Sequence, residues 1–403
     1  MNGPTNRRPH LSRRRFLVGG LAVTAVGTLP FDALAAPTTR ATDGRVLVVV
    51  QLTGGNDGLN TLIPIEQDAW YRARPTLSRV AKGSHDLGSG WALHPSMGAL
   101  AERFRAGELT CLHAVGYPNP DRSHFRSMDV WHSASLAPDL TDRPAGWLAR
   151  LGEQILAAGG RAPAMLHVGG GALPTSLVGD EGPAPSVRDL DQLRPPSGSV
   201  GGAVFDALYA ERGGAGEAAF LRAAARDAVD LGRRLEDGAR APLVADWPQD
   251  AFARDLALVA RLVRSGLGAR IYQVELDGFD THRGQAPIHA DLVGRLSNAL
   301  AAFQDELRAA GRADEVLTLV FSEFGRRVRE NASGGTDHGA GAPSFLVGPA
   351  AVGGFVGRAP DLERLVDGDV PFGLDFRAVY AALERDWMGL APSTALEPLR
   401  VLG

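Results

Sequence analysis

Four short stretches carry the acidic and imidazole side chains from which a reactive site is built. They are Asn56-Asp57-Gly58, Ser123-His124, Asp277-Gly-Phe-Asp280-Thr-His282, and Glu323 followed by Asp337-His338. Carboxylate oxygens and imidazole nitrogens are the ligands of zinc, manganese and related divalent ions. A pair of such ions suits phosphoryl or sulfuryl transfer, because it holds both the attacking and the leaving oxygen. Each stretch alone has a plainer reading: Asn-Asp-Gly is a turn, and Asp-Thr-His or Asp-His-Gly is a capped loop. Ser123, near a helix start, is either a cap or a nucleophile. In the second case the free backbone N–H groups and the positive end of the helix dipole favour an anionic substrate group and a partly ionised alkoxide. A Ser-His-Asp triad competes, with Ser123 as nucleophile and His282 or His338 as base, but the G-x-S-x-G elbow is missing. His85, His94, His113, His132, His167 and His289 show no comparable grouping and are expected at the surface or hydrogen-bonded in the core.

Whether the four stretches meet depends on the elements that carry them. Val46–Leu52 and Val316–Phe321 are continuous apolar runs, the pattern of strands covered on both faces. Asp57 and Glu323 fall just past their ends, where the ligand crevice of a parallel α/β sheet lies. Leu109–Val115 is another strand, and the Pro-punctuated loop after it leads into a helix with Ser123 near its first turn. Ile271–Leu276 delivers Asp277, Asp280 and His282. A helix striped by Ile288, Leu292, Leu296, Leu300, Phe303 and Leu307 then returns the chain to Val316, completing a βαβ unit. Ala164–Val168, Ser176–Val178 and Ser344–Val347 are shorter strand candidates, and Phe376–Met388 is an amphipathic closing helix. Gly169–Gly171 has neither the Lys-Ser/Thr of a phosphate loop nor a dinucleotide spacing, so no nucleotide is assigned to it. The expected fold is α/β, three layers with a mostly parallel central sheet, in one domain over residues 36–403 with a helical insertion at about 190–265.

Composition narrows the partners. The 403 residues are 44% hydrophobic and 22% charged with a formal net charge of -4, so there is no basic field for a nucleic acid. The lone Cys111 rules out an intrachain disulfide. Residues 1–35 have an Arg-rich head, a short apolar run and Ala33-Leu34-Ala35, and Ser12-Arg13-Arg14-Arg15-Phe16-Leu17 looks like a twin-arginine export signal. The expected partners are therefore the twin-arginine export machinery and a small-molecule or polymer ester substrate. The expected location is periplasmic or extracellular, with no stable transmembrane segment after cleavage; an uncleaved N-terminal anchor is the alternative.

The segments LTGGNDGLNTLIP at 52–64, LDGFDTH at 276–282, FSEFGR at 321–326 and GTDHG at 335–339 give the chain a family resemblance. It resembles the exported bacterial family called domain of unknown function 1501, of the alkaline-phosphatase-like superfamily that includes sulfatases, over nearly the whole mature chain. The resemblance implies an alkaline-phosphatase-like fold. It likens Asp57 to the ligand after the first strand and places Ser123 at the nucleophile position. Asp277 or Asp280 with His282 is similar to an Asp-x-x-x-His ligand pair at altered spacing. Glu323 stands where sulfatases have an Asp, Phe324 where they have a His, and His338 or its neighbour Asp337 closes the set. The reading that follows is an exported, metal-dependent hydrolase of phosphate or sulfate esters. Its metal ligands are drawn from Asp57, Asp277, Asp280, His282, Glu323, Asp337 and His338, with Ser123 or a water as nucleophile. His124 and Arg326 are expected to bind the substrate by stabilising developing negative charge. One or two divalent ions are implied, with zinc, manganese and calcium not distinguished. The alternative is a catalytically inactive exported protein of the same fold that binds an envelope polymer or a protein partner.

Overall fold

The computed structural model describes residues 44–137, 144–188, 231–238 and 240–403. The export segment 1–35 and much of the 190–265 stretch lie outside the described residues.

The apolar runs form the strands that their lack of alternation predicts. In chain order the central sheet holds β1 (Val46–Thr53), β2 (Leu109–Gly116), β3 (Met165–Val168), β4 (Ser186–Val187), β5 (Ile271–Asp277), β6 (Val316–Phe321), β7 (Ala342–Val347), β8 (Gly354–Val356) and β9 (Leu374–Asp375). Across the sheet the order is β8, β2, β7, β6, β1, β5, β3, β4, with β9 also on β2. Only β7 is antiparallel to its neighbours. β1 is central: Gln51 pairs with Glu275 on one side and Phe321 on the other.

Successive side chains of a strand point to opposite faces, and β1 fills both layers of the core. Val46, Val48 and Val50 pack with α4 (Ala251–Arg264) and α5 (Gln285–Ala309), while Leu47 and Val49 pack with α2 (His124–Ser133), α3 (Trp147–Ala157) and α6 (Phe376–Ala382). Burying each such side chain contributes roughly 1.5–3 kcal/mol. The three-layer α/β/α arrangement is the one expected. α4 starts where the Asp250 carboxylate accepts the Ala253 N–H at 3.1 Å, and it closes one face of the sheet against β3, β5 and α5.

Several local expectations need correction. Ser176–Val178 is no strand of the central sheet: Thr175–Leu177 is a 3-10 turn, and Val178–Gly179 pairs only with Gly182–Pro183. Ile288 is 47% exposed although it shares the helical stripe of α5, while its turn neighbours Gln285 and His289 are buried. β4, β8 and β9 are two or three residues long, too short to show periodicity.

This topology gathers one rim. The carboxyl ends of β1, β2, β5 and β6 meet there, and because β7 runs the other way its amino end joins them. Two glycines after β1 let the loops touch. A Cβ on Gly54 (φ +114°) would lie 2.5 Å from the Asp280 amide nitrogen, and one on Gly55 (φ +74°) would lie 2.3 Å from the Phe324 ring.

Candidate metal centre

Asp280 is the hub of the rim. Its Oδ1 lies 3.0 Å from His282 Nε2, 3.1 Å from His338 Nε2 and 3.5 Å from His124 Nε2. The His282 and His338 Nε2 atoms are 3.0 Å apart. Ligand atoms of His124, Asp280 and His338 all fall within 4.8 Å of one another. Each residue arrives from a different element: His124 opens α2, Asp280 and His282 follow β5, and His338 precedes β7.

The far side of each ring settles what the near side offers. His124 Nδ1 donates to Glu323 Oε1 at 2.9 Å, His282 Nδ1 to Asp337 Oδ1 at 3.2 Å, and His338 Nδ1 to the Arg122 carbonyl at 2.7 Å. A carboxylate or a carbonyl only accepts, so each Nδ1 carries a hydrogen, and each ring turns its Nε2 inward. His124 Nε2 is buried without a hydrogen-bond partner. Three imidazole nitrogens and a carboxylate oxygen thus converge, donors of the kind that hold a divalent ion. Around a tetrahedral ion with bonds of about 2.0–2.1 Å the ligand atoms stand about 3.3–3.4 Å apart; the three Nε2 atoms lie 3.0–3.5 Å from Asp280 Oδ1, and the His124, Asp280 and His338 atoms within 4.8 Å of one another. The donor set fits a divalent metal, with the outer carboxylates and carbonyl fixing tautomer and ring direction.

The surrounding groups hold this geometry. Burial pushes Asp280 up, but Arg326 and the neighbouring imidazoles outweigh it and hold the carboxyl down to about 2. The Glu323 hydrogen bond raises His124 against the burial that lowers it. Hydrogen bonds from Asn331 and His282 lower Asp337. Buried Glu323 also takes the Gly54 N–H at 2.9 Å, tying the β1 loop to the β6 loop. The Phe324 ring stands 4.9 Å from the His124 ring and 4.8 Å from that of His338, an apolar wall on one side of the cluster.

Of the residues expected from sequence, Asp280, His282 and His338 meet directly, and Glu323 and Asp337 stand behind them as supports. Four expectations are corrected. His124, read as a substrate contact, joins the ligand set itself. Arg326 is 2% exposed, and its guanidinium is spent on the carbonyls of Gly54, Gly55, Phe279 and Thr336 and on Asp280 Oδ1 at 2.7 Å, so it clamps loops instead of facing a substrate. Asp57 lies apart, fully buried, with Oδ2 at 2.6 Å from Arg74 Nη1 and accepting also from Gln285. Burial works to raise its pKa, and Arg74 outweighs that and lowers it. Asp277 is exposed and accepts its own neighbour's Gly278 N–H at 2.7 Å, away from the cluster. Ser123 is exposed at the N-cap of α2; its amide donates to Asp121 Oδ1 at 2.7 Å and its hydroxyl caps nothing. Arg74 and Gln285, which engage Asp57, carry no sequence signal: both sit among ordinary polar helix residues.

The chain belongs to the family described as protein of unknown function (DUF1501), whose model matches residues 85–398. No curated protein matches it. Among solved structures it is similar to a protein in the alkaline phosphatase superfamily from Vibrio parahaemolyticus (11% identity, TM-score 0.33, 75% of this chain), of whose length it spans 60%. It is similar also to the C-terminal periplasmic domain of EcEptC from Escherichia coli in complex with Zn (9% identity, TM-score 0.36, 75% of this chain and 72% of that one). A third is the PsFucS1 sulfatase from Pseudoalteromonas sp. (12% identity, TM-score 0.34, 89% of this chain and 72% of that one). Each likeness is loose, and none bears on chemistry.

Proposed function

We propose that this chain is an exported hydrolase of phosphate or sulfate esters that works with one divalent ion held by His124, Asp280, His282 and His338. The observation that carries the reading is the convergence of three Nε2 atoms on Asp280 Oδ1, each ring locked by an acceptor on its other nitrogen. One ion is favoured over two, because the Asp57 carboxylate is already neutralised by Arg74. Bound there, the ion supplies Lewis-acid stabilisation of an anionic ester.

The protein's own groups do the rest. Glu323, Asp337 and the Arg122 carbonyl hold the three Nδ1–H groups and so fix the direction in which each Nε2 points. Arg326 fixes Asp280 and the three loops around it, and Phe324 excludes water from one side. The amides of the first turn of α2 lack intrahelical partners and face the positive end of the helix dipole, a position that suits the ester's non-bridging oxygens. Ser123, with an unengaged hydroxyl at that helix start, is the nucleophile in this reading.

Among the described residues no helix is long and apolar enough to cross a membrane. The test combines elemental analysis of the purified chain, expressed in metal-replete medium, with hydrolysis of an aryl phosphate and an aryl sulfate. We expect close to one ion per Asp280 site and turnover abolished by Ser123→Ala. A chain that binds no ion at this site sinks the reading; full turnover in Ser123→Ala transfers the nucleophile's role to water.

A further inference from the structure

Beside the Asp280 cluster, the ends of β5 and β3 carry a second set of acceptors that the reading above does not use. His167 on β3 is wholly buried; its Nδ1 meets Ser186 Oγ at 2.7 Å, while its Nε2 has no partner. Glu275 on β5 brings Oε2 to 4.0 Å from that nitrogen. Asp255 of α4 reaches the same loop: a Cβ on Gly169 would lie 3.3 Å from Asp255 Oδ2 and 4.0 Å from His167 Nε2, and one on Gly171 would lie 2.7 Å from Glu275 Oε2. The glycines therefore leave open a space into which all three side chains turn, and nothing lies within 4 Å of a Cβ built on Gly170. Among the described residues no donor or counter-charge meets either carboxylate at hydrogen-bond distance. Arg188, whose charge reaches His167, pairs with neither of them.

We propose that His167, Glu275 and Asp255 form a second cation site, for a divalent metal ion, over the Gly169–Gly171 loop. An ion midway across the 4.0 Å gap lies about 2.0 Å from both His167 Nε2 and Glu275 Oε2, a coordinate-bond length for zinc with nitrogen and oxygen. Asp255 closes the set by turning its carboxylate over Gly169. The ionisation of the carboxylates agrees: burial raises Glu275 to about 7, the nearby Asp277 and Glu323 charges adding to it, and burial raises Asp255 to about 6. These are groups short of positive charge, and a mixed carboxylate and imidazole set suits zinc or manganese. The ion's role is to pin the β3 loop to the rim of β5, next to the proposed reaction site.

The test uses the full chain, stripped by a chelator and dialysed against Zn2+, with bound metal counted by elemental analysis. Glu275→Gln keeps shape and removes the charge, Asp255→Asn does the same on a half-exposed helix position, and Asp280→Asn disables the other cluster; melting curves verify that each variant is folded. The wild type is expected to hold two ions, Glu275→Gln and Asp255→Asn one each, and Asp280→Asn one. Glu275→Gln with the same metal content as the wild type overturns the proposal. So does a wild type with a single ion that Asp280→Asn alone removes. A single ion that Glu275→Gln removes and Asp280→Asn retains supports this site while refuting the Asp280 centre, so the two failures are distinguishable.

Discussion

Two pockets at the same rim use the same kinds of side chain and end in opposite states. Around Asp280, three imidazoles turn their Nε2 atoms toward one carboxylate, half open to solvent. Around Asp57, the carboxylate is sealed at 0% exposure and its counter-charge comes from within the chain: Arg74, which also donates to Asn60, and Gln285 both meet Oδ2, while Oδ1 has no hydrogen-bond partner. The difference lies in who supplies the positive charge. A carboxylate past a strand end becomes a ligand candidate only where the fold withholds an internal cation. Arg326 sharpens the point, because it meets Asp280 with one nitrogen yet spends its remaining donors on carbonyls, while His124 Nε2 stays without a hydrogen-bond partner.

The largest effect is expected where the comparison says that an external cation is required. Asp280→Asn removes the central charge, and hydrolysis should fall by at least about a hundredfold together with loss of the ion, read by turnover and elemental analysis. Retained metal and activity would erase the distinction between the two pockets. The reverse change belongs to the other pocket. Arg74→Met strands a buried Asp57 carboxylate and should cost about 3–5 kcal/mol in urea unfolding, while the folded fraction keeps the metal content of the wild type. A loss of metal without a loss of stability would show that Asp57 is a ligand after all.

The sequence made the rim legible because uninterrupted apolar runs at Val46–Leu52, Ile271–Leu276 and Val316–Phe321 mark strands whose ends must be neighbours in a parallel sheet. The alternation with the α5 stripe ordered them. What it could not show was which carboxylate had a private partner. Arg74 lies 17 residues from Asp57 in a stretch of ordinary helix and turn, and only three-dimensional packing brings its guanidinium under the β1 loop. His124 was readable as a group near the helix start but not as a ligand, since its role depends on Glu323 gripping the far nitrogen. Arg326 misleads for a related reason: an arginine after a strand looks exposed in sequence, whereas the glycine turn at Gly54 and Gly55 folds over it and takes up its donors.

A smaller effect isolates the supports of the open pocket. Glu323→Gln keeps a side chain at hydrogen-bond distance from His124 Nδ1 but removes the charge that orients the ring, and an amide can present a donor where an acceptor is needed. Metal affinity should drop about 10–100-fold, as it does when an outer carboxylate behind a ligating imidazole is lost. Asp337→Asn should act similarly through His282. Competition with a chromophoric chelator measures both; unchanged affinity in the two variants would mean that the imidazoles are oriented by packing alone.

The smallest effect lies in the sealed pocket and is a matter of proton uptake. His289, bonded to Asn56 Oδ1 at 3.1 Å, is lowered to about 4, chiefly by burial, and nearby His94 is lowered to about 3 for the same leading reason. Both folded values lie below the unfolded value near 6.5, so the unfolded chain takes up protons first as the pH falls. The stability that these rings contribute is complete above about pH 6.5 and is lost progressively as the pH drops toward their folded values. Between pH 7 and 6 this amounts to about 0.5–1 kcal/mol per ring, so the urea midpoint should fall over that interval. Replacing His289 by Gln should flatten the slope by the share of one ring. A slope unchanged by that variant would place the proton uptake elsewhere and leave the sealed pocket indifferent to pH, held by the Asp57 and Arg74 pair alone.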